Sequence, residues 1–213
     1  EIIIVNDGST DNTKGLLNVL NEEIIIINHE TNLGYGKSLK SGIDTAKYDS
    51  IVITDADGTY PIDMIYPLFN KMVQNNLDMV VGSRTGDNVN IPIIRRPAKW
   101  IIGKLANWVT SEKIPDINSG LRIFKKKAFT PFRNLVPDGF SFTTTITLGM
   151  ISSGYKVEFL HIDYYKRSGV SKIKPINDTI NFFKLILRIG LYFAPLKIFA
   201  PMSIIFLIIA IMW

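Results

Sequence analysis

Asp55 and Asp57 stand one residue apart in "ITDADGTYP" (residues 53–61), after the apolar run Ile51–Thr54 and just before Gly58. Two carboxylates so placed offer hard oxygen ligands to Mg²⁺ or Mn²⁺, ions held by one or two carboxylates together with substrate phosphates. Taken alone, D-x-D is also the composition of a solvated turn, in which one Asp accepts bonds from nearby backbone N–H groups. Position favours the metal. A cation at a strand's carboxyl end would neutralise the charge that grows on a departing diphosphate. A second phosphate-binding pattern fails on inspection. "NLGYGKS" (32–38) has the Gly-Lys-Ser end of a P-loop, but the glycine that G-x-x-x-x-G-K-[ST] requires at position 31 is Thr31. A loop packed closely on a sheet, with Lys37 solvated, is the better reading.

The elements that must hold these residues follow from hydrophobic periodicity. Ile2–Val5, Ile24–Ile27, Ile51–Thr54 and Met79–Val81 are short, mostly β-branched runs bounded by turn residues, and they read as buried strands. Helical patterns lie between them over Thr10–Leu20, Gly36–Ala46 and Ile62–Asn75. "STDNT" can cap the first helix, and Pro61 suits a first-turn position in the third. Strand and helix in alternation predict a mainly parallel α/β sheet flanked by helices. Such sheets bind ligands at the carboxyl ends of their strands, where Asp7, Asp55 and Asp57 all fall. Residues 85–99 read as loop, Trp100–Val109 as a helix, and residues 140–165 as a further helix and strand.

Composition narrows the function classes. With no cysteine among 213 residues and only His29 and His161, disulfides and thiolate or imidazole metal sites are excluded or improbable. The net charge is +5, and from Tyr164 onward Lys166, Arg167, Lys172, Lys174, Lys184, Arg188 and Lys197 face one acid, Asp178. Basic residues beside an apolar run point to an anionic membrane surface rather than to nucleic acid. Asn177, Asn181, Lys184 and Arg188 form one polar stripe on an otherwise apolar helix, the pattern of a helix in the membrane interface. "IFAPMSIIFLIIAIMW" then adds 16 uncharged residues. A span needs about 20, so this stretch reads as the start of a transmembrane helix, with a buried core helix as the alternative. The basic flank would put the α/β part on the cytoplasmic side.

The motifs "VNDGSTDNT", "NLGYGKSLKSGI", "DADGTYP", "GSR", "DINSGLRIF" and "YYKRSGVSKI" occur in the order and rough spacing of family 2 glycosyltransferases. The chain resembles most the dolichyl-phosphate mannose synthases and related polyprenyl-phosphate glycosyltransferases. The resemblance implies a GT-A (Rossmann-like) domain over residues 1–175, followed by an amphipathic interfacial helix over 176–194 and a transmembrane helix starting over 197–213. It also implies a GDP- or UDP-hexose donor, a divalent cation (Mg²⁺ or Mn²⁺), a polyprenyl phosphate acceptor, inversion at the anomeric carbon, and membrane attachment, with oligomerisation possible.

Carried over by position, Asp7 resembles the aspartate that holds the nucleobase. Asp57 resembles the direct metal ligand, and Asp55 lies nearer the ribose or metal. Thr59 stands where some relatives carry a metal-binding Gln. Arg84, with Arg95 or Arg96, resembles residues gripping the acceptor phosphate. Arg167, Ser171 and Lys172 belong to the motif that closes over the donor diphosphate. Asp116 resembles the general base of hydroxyl-acceptor relatives; with an anionic acceptor it would instead orient the acceptor or hold Arg122 by an ion pair. Arg122 joins the substrate-binding set on the same motif. Two departures accompany the match. The chain opens on what corresponds to the family's second strand, and Thr143–Thr145 replace acids that many relatives carry. The competing expectations are a hydroxyl-acceptor transferase and a catalytically silent nucleotide-sugar-binding module.

Overall fold

The computed structural model describes the backbone of residues 1–20, 23–89, 96–139, 141–165 and 175–213. Side chains are described for the same residues except 86–89, 96–99, 101–102, 175–179 and 181–182. The chain runs β1 (Ile2–Asp7), α1 (Thr13–Leu17), β2 (Ile24–His29), α2 (Tyr35–Thr45), β3 (Ser50–Ile53), α3 (Ile65–Gln74) and β4 (Met79–Val89). It continues through α4 (Arg96–Thr110), β5 (Arg122–Lys125), α5 (Lys126–Phe129), α6 (Phe142–Ser152), β6 (Val157–Tyr164), α7 (Pro175–Phe193) and α8 (Pro195–Met212).

The strands form two groups rather than one sheet. β1 and β2 pair in parallel, with Asp7 opposite His29 at their carboxyl ends. The other four lie in the order β3-β5-β4-β6, where β4 and β6 are parallel and β5 is antiparallel to both of its neighbours. Helix α2 bridges the groups. Its Gly42 faces Ile3 and Val5 of β1, while Ile43 packs into the cluster that contains Ile51 and Ile53 of β3.

β5 is the element that periodicity misses. Four residues, "RIFK", carry too little alternation to announce a strand; they become one because β3 and β4 pair with them on both sides. Their reversed direction has a functional consequence. The start of β5 lies level with the carboxyl end of β3, Arg122 facing Ile53 there and Val81 of β4 on its other side, so the preceding "DINSG" loop reaches the same edge as the D-x-D pair.

β4 also runs further than expected. Residues 85–89, read as loop from their Gly and Asn content, continue the strand beside β6, with a register shift between Arg84 and Val89. Pro61 precedes a short 3₁₀ turn (Ile62–Met64) instead of opening α3, whose first-turn proline is Pro67. α1 is shorter than predicted; Asp11 accepts bonds from the Thr13 N–H and hydroxyl at its start.

Side-chain alternation on the strands builds two cores. Met79, Val81 and Phe124 pack under α2 and α6 with Phe129, Phe142 and Ile146. Val80 and Ile123 face the other way, onto Leu68 and Met72 of α3. A third cluster joins α4, α6 and α7 through Ala106, Val109, Leu148, Ile186 and Ile189. α8 buries none of its residues.

Candidate active site

Asp55 and Asp57 follow β3 at once, and Gly58 turns the chain there with φ +71°, a left-handed conformation that glycine adopts without steric cost. Asp55 points toward the "DINSG" loop. The Tyr35 hydroxyl donates to its Oδ1 at 3.2 Å. A methyl group added at Gly120 would lie 2.9 Å from its Oδ2, so only a glycine lets the carboxylate sit this close. The Tyr60 hydroxyl accepts the Gly120 N–H at 2.6 Å, and the Tyr60 ring meets Tyr164 edge-on at 5.2 Å. Burial, then the Asp55 charge, raises the Tyr35 pKa, which keeps this hydroxyl protonated as a donor.

Asp57 is held differently. Its Oδ1 accepts the Thr59 hydroxyl at 2.6 Å and the Thr59 N–H at 3.2 Å. Thr59 is fully buried. Thr59, expected among the metal ligands, thus donates its hydroxyl to Asp57 and orients that carboxylate.

Arg84, at the end of the regular β4–β6 pairing, grips Asp116 with both arms of its guanidinium. Nε donates to Oδ2 at 2.7 Å and Nη2 to Oδ1 at 3.0 Å. The Arg84 and Asn118 backbone N–H groups donate to the same carboxylate at 3.1 and 3.2 Å. Asp116 is 2 % exposed. Burial alone would lower the Arg84 pKa, but the Asp116 charge and hydrogen bonds outweigh it and the net shift is upward. The Arg84 guanidinium carbon also lies 5.1 Å from the centre of the Tyr164 ring.

The expected pairing of Asp116 with Arg122 is therefore corrected: Arg84 takes that place. Arg122 shares the parity of Phe124 on β5 and so points under α6. There its Nη1 donates to the Thr143 carbonyl at 3.0 Å and to the Thr147 hydroxyl at 2.8 Å, and Nη2 donates to the Ser119 carbonyl. It is fully buried, and burial pulls its pKa down to about 10. Such a guanidinium ties the "DINSG" loop to α6 through Nη1 and Nη2.

Asp7 closes the β1–β2 side. Its carboxylate accepts the Leu33 and Gly34 N–H groups at 2.9 and 2.8 Å and contacts His29 Nδ1 at 2.8 Å. Since a carboxylate only accepts, Nδ1 carries a proton and donates it to Asp7, while Nε2 lies 3.0 Å from the Ser41 hydroxyl. Burial alone would raise the Asp7 pKa, but the bonds from His29, Leu33 and Gly34 hold it below 3.8. The start of α2 is also occupied. Gly36 and Lys37 donate their N–H groups to the Gly139 and Asp138 carbonyls, which agrees with rejecting a P-loop there.

Of the expected site residues, the fold thus brings Asp55, Asp57, Arg84 and Asp116 to one edge of the sheet, with Asp7 at the end of the neighbouring pair. Arg95, Arg167, Ser171 and Lys172 lie outside the described residues, and the Arg96 side chain is likewise not described. Tyr35, Tyr60, Gly120 and Tyr164 escaped the sequence reading. All four lie inside quoted motifs, Tyr35 in "NLGYGKSLKSGI", Tyr60 in "DADGTYP", Gly120 in "DINSGLRIF" and Tyr164 in "YYKRSGVSKI", but no residue type or spacing singled them out.

Among the described residues, no group of three or more His, Cys, Asp or Glu could hold a metal ion. Two carboxylates at a strand end fit a hard cation whose remaining ligands come from substrate phosphates. They do not fit a metal caged by protein alone.

The description "Glycosyl transferase family 2" matches residues 1–131. The chain belongs to glycosyl transferase family 2. It is 24% identical over 192 residues to a dolichyl-phosphate hexose transferase of Haloferax volcanii, covering 90% of this chain and 81% of that protein. It is 29% identical over 147 residues to the bactoprenol glucosyl transferase of Shigella phage SfV, and 30% identical over 147 residues to a prophage homolog in Escherichia coli. Each of these two matches spans 65% of this chain and 47% of the relative.

Among solved structures, glucosyl-3-phosphoglycerate synthase from Mycobacterium tuberculosis, in complex with Mn²⁺, UDP and phosphoglyceric acid, superposes with a TM-score of 0.64 at 13% identity. That match covers 90% of this chain and 66% of the synthase. S. aureus TarS with UDP-GlcNAc gives 0.61 at 17% identity, covering 91% of this chain and 58% of TarS. These likenesses establish the GT-A fold of this family member.

Proposed function

We propose that this glycosyltransferase moves a hexose from a nucleoside-diphosphate sugar to a polyprenyl phosphate at a membrane, with inversion at the anomeric carbon. The observation that carries the acceptor class is the state of Asp116. A general base must be able to take a proton from the nucleophile. Asp116 accepts four hydrogen bonds, three of them from Arg84 and two of those from its guanidinium, and its charge is already committed. An acceptor phosphate needs no base, since it is an anion near neutral pH. The dolichyl-phosphate and bactoprenol relatives support the same class.

In this reading an acceptor phosphate oxygen forms a bond to the anomeric carbon while the bond from that carbon to the donor's β-phosphate oxygen breaks. The electron pair leaves on the nucleoside diphosphate, and no proton moves. Asp57, oriented by Thr59, and Asp55, oriented by Tyr35 and Gly120, would hold a divalent cation, which when bound neutralises charge on the departing diphosphate. Arg84 stiffens the "DINSG" loop through Asp116, and Arg122 anchors the same loop from below. Asp7 holds the Leu33–Gly34 turn beside the nucleobase side of the crevice. Gripping of the acceptor phosphate falls to Arg95 and Arg96, and closure over the donor diphosphate to Arg167, Ser171 and Lys172. α8 would enter the bilayer, with the catalytic domain on the cytoplasmic side.

Purified protein in detergent, given labelled GDP- and UDP-hexoses with a polyprenyl phosphate, tests the proposal. A labelled lipid product that forms with Mn²⁺ or Mg²⁺ and disappears with EDTA is expected. Transfer to a polyprenol alcohol but not to its phosphate would overturn the acceptor assignment.

A further inference from the structure

α4 carries two indoles where a water-facing helix would carry polar groups. Trp100 is 66% and Trp108 46% exposed. At 100° per residue they and Lys104 fall on one stripe, while Leu105, Ala106 and Val109 face the third core cluster from the other side. The Lys104 ammonium lies 5.9 Å from the Trp100 ring centre. Exposed apolar surface of this kind marks an interaction site.

The position of the stripe is set by Lys197, in the first turns of α8. Its ammonium donates to the Val109 carbonyl at 2.9 Å, the Trp108 carbonyl at 3.3 Å and the Ser111 hydroxyl at 2.5 Å. It therefore caps the carboxyl end of α4, where a cation is favoured by the helix dipole. The junction is tight. A methyl group at Gly190 of α7 would lie 2.9 Å from Ile198 and 3.1 Å from Val109, so three helices meet at one point. Beyond it, Pro195–Met212 has a mean hydropathy of 2.2 and none of it is buried. At about 1.5 Å per residue, α8 is roughly as long as a hydrocarbon core is thick, which puts its amino-terminal turns, and whatever Lys197 holds, in the headgroup layer. Exposed Lys184 and Arg188 on α7 flank the junction, beside Ile180, Phe183 and Leu191 on the same outer face.

We propose that the Trp100–Lys104–Trp108 stripe of α4 is a second membrane-contact surface, laying the catalytic domain on anionic lipid beside α8. Tryptophan and basic residues concentrate in this layer because the indole is apolar with one polar edge and the cation meets the lipid phosphates. The inference rests on α8 being a membrane helix. It adds that the domain lies against the bilayer instead of swinging from a tether, so the acceptor's phosphate would meet the strand ends from a fixed side.

Tryptophan emission in vesicles tests this, because the chain has only Trp100, Trp108 and Trp213. The full chain carrying Trp213→Phe reports on the stripe, and a Trp100→Phe/Trp108→Phe chain reports on α8. Both are reconstituted in phosphatidylcholine–phosphatidylglycerol vesicles whose acyl chains are brominated near the headgroup or near the methyl end. The stripe is expected to emit at shorter wavelength than in water and to lose about half its emission to shallow bromine, and less to deep bromine. Stripe emission unaffected by bromine, with Trp213 quenched, overturns the proposal while the membrane reading of α8 stands. Blue-shifted but unquenched emission also overturns it, since protein would then cover the stripe. If neither chain is quenched, the proposal falls together with that reading.

Discussion

Arg84 and Asp116 form a two-armed ion pair at 2.7 and 3.0 Å on the edge of the sheet where the D-x-D pair lies. The pair converts what looks like a candidate base into an anchor for the "DINSG" loop. Asp116→Asn should therefore act mainly on stability. It leaves a mostly buried guanidinium without its counter-charge, at a cost of about 3 kcal/mol, read as a lowered melting temperature. Turnover of the folded fraction should fall by about tenfold or less, against the roughly 10²–10⁴-fold expected on losing a general base. A thousand-fold-scale loss of kcat with unchanged melting would instead make Asp116 the base.

Gly120→Ala probes Asp55 from a distance. The new methyl would sit 2.9 Å from Asp55 Oδ2 and 3.1 Å from its Cγ, so the carboxylate must shift. The melting temperature should change little. The Mn²⁺ concentration giving half-maximal turnover should rise by about tenfold or more, as when an orienting partner of a metal ligand is lost. An unchanged metal requirement would remove Asp55 from the cation site.

Thr59 separates orienting from ligating. Thr59→Ser retains the hydroxyl that donates to Asp57 Oδ1 at 2.6 Å, so its metal dependence should match the parent's. Thr59→Val keeps the shape but loses the bond, worth about 1 kcal/mol, and should weaken metal activation by roughly fivefold. Titrating turnover with Mn²⁺ for both variants decides the matter; Val behaving like the parent would show that the bond does not orient Asp57.

Asp7 predicts an acid limit on the β1–β2 side. Its folded pKa lies below the unfolded value of 3.8 because His29, Leu33 and Gly34 bond the charged form. The unfolded chain thus binds the proton more readily, and stability rises with pH across this window. The contribution is complete above 3.8 and vanishes as pH falls through the folded pKa. Asp7→Asn should cost about 1–3 kcal/mol at neutral pH, with a gap to the parent that closes on acidification. Melting curves followed from neutrality to about pH 3 would show it; a gap independent of pH would mean the carboxylate charge is irrelevant.

Much of this chain is written in local pattern. Strands β1 to β3 and helices α2 and α3 lie where apolar periodicity puts them, because each buries a face that its own residues define. The D-x-D pair, its place at a strand end and the apolar tail were legible for the same reason: spacing along the chain already carries the chemistry.

Partner choice was not legible. Arg122 and Arg84 are equally basic in the sequence, yet side-chain parity on β5 sends Arg122 under α6 while β4 delivers Arg84 to Asp116. Nothing in the spacing showed that the Thr59 hydroxyl would donate to Asp57. β5 has too short a pattern to declare itself, and only pairing with strands on both sides makes it one and brings the "DINSG" loop beside Asp55. Residue type and spacing determined which groups could act. The direction in which each side chain points, set by strand order and by what covers each face, decided which of them meet, since hydrogen bonds of about 3 Å require contacts that no interval in the sequence specifies.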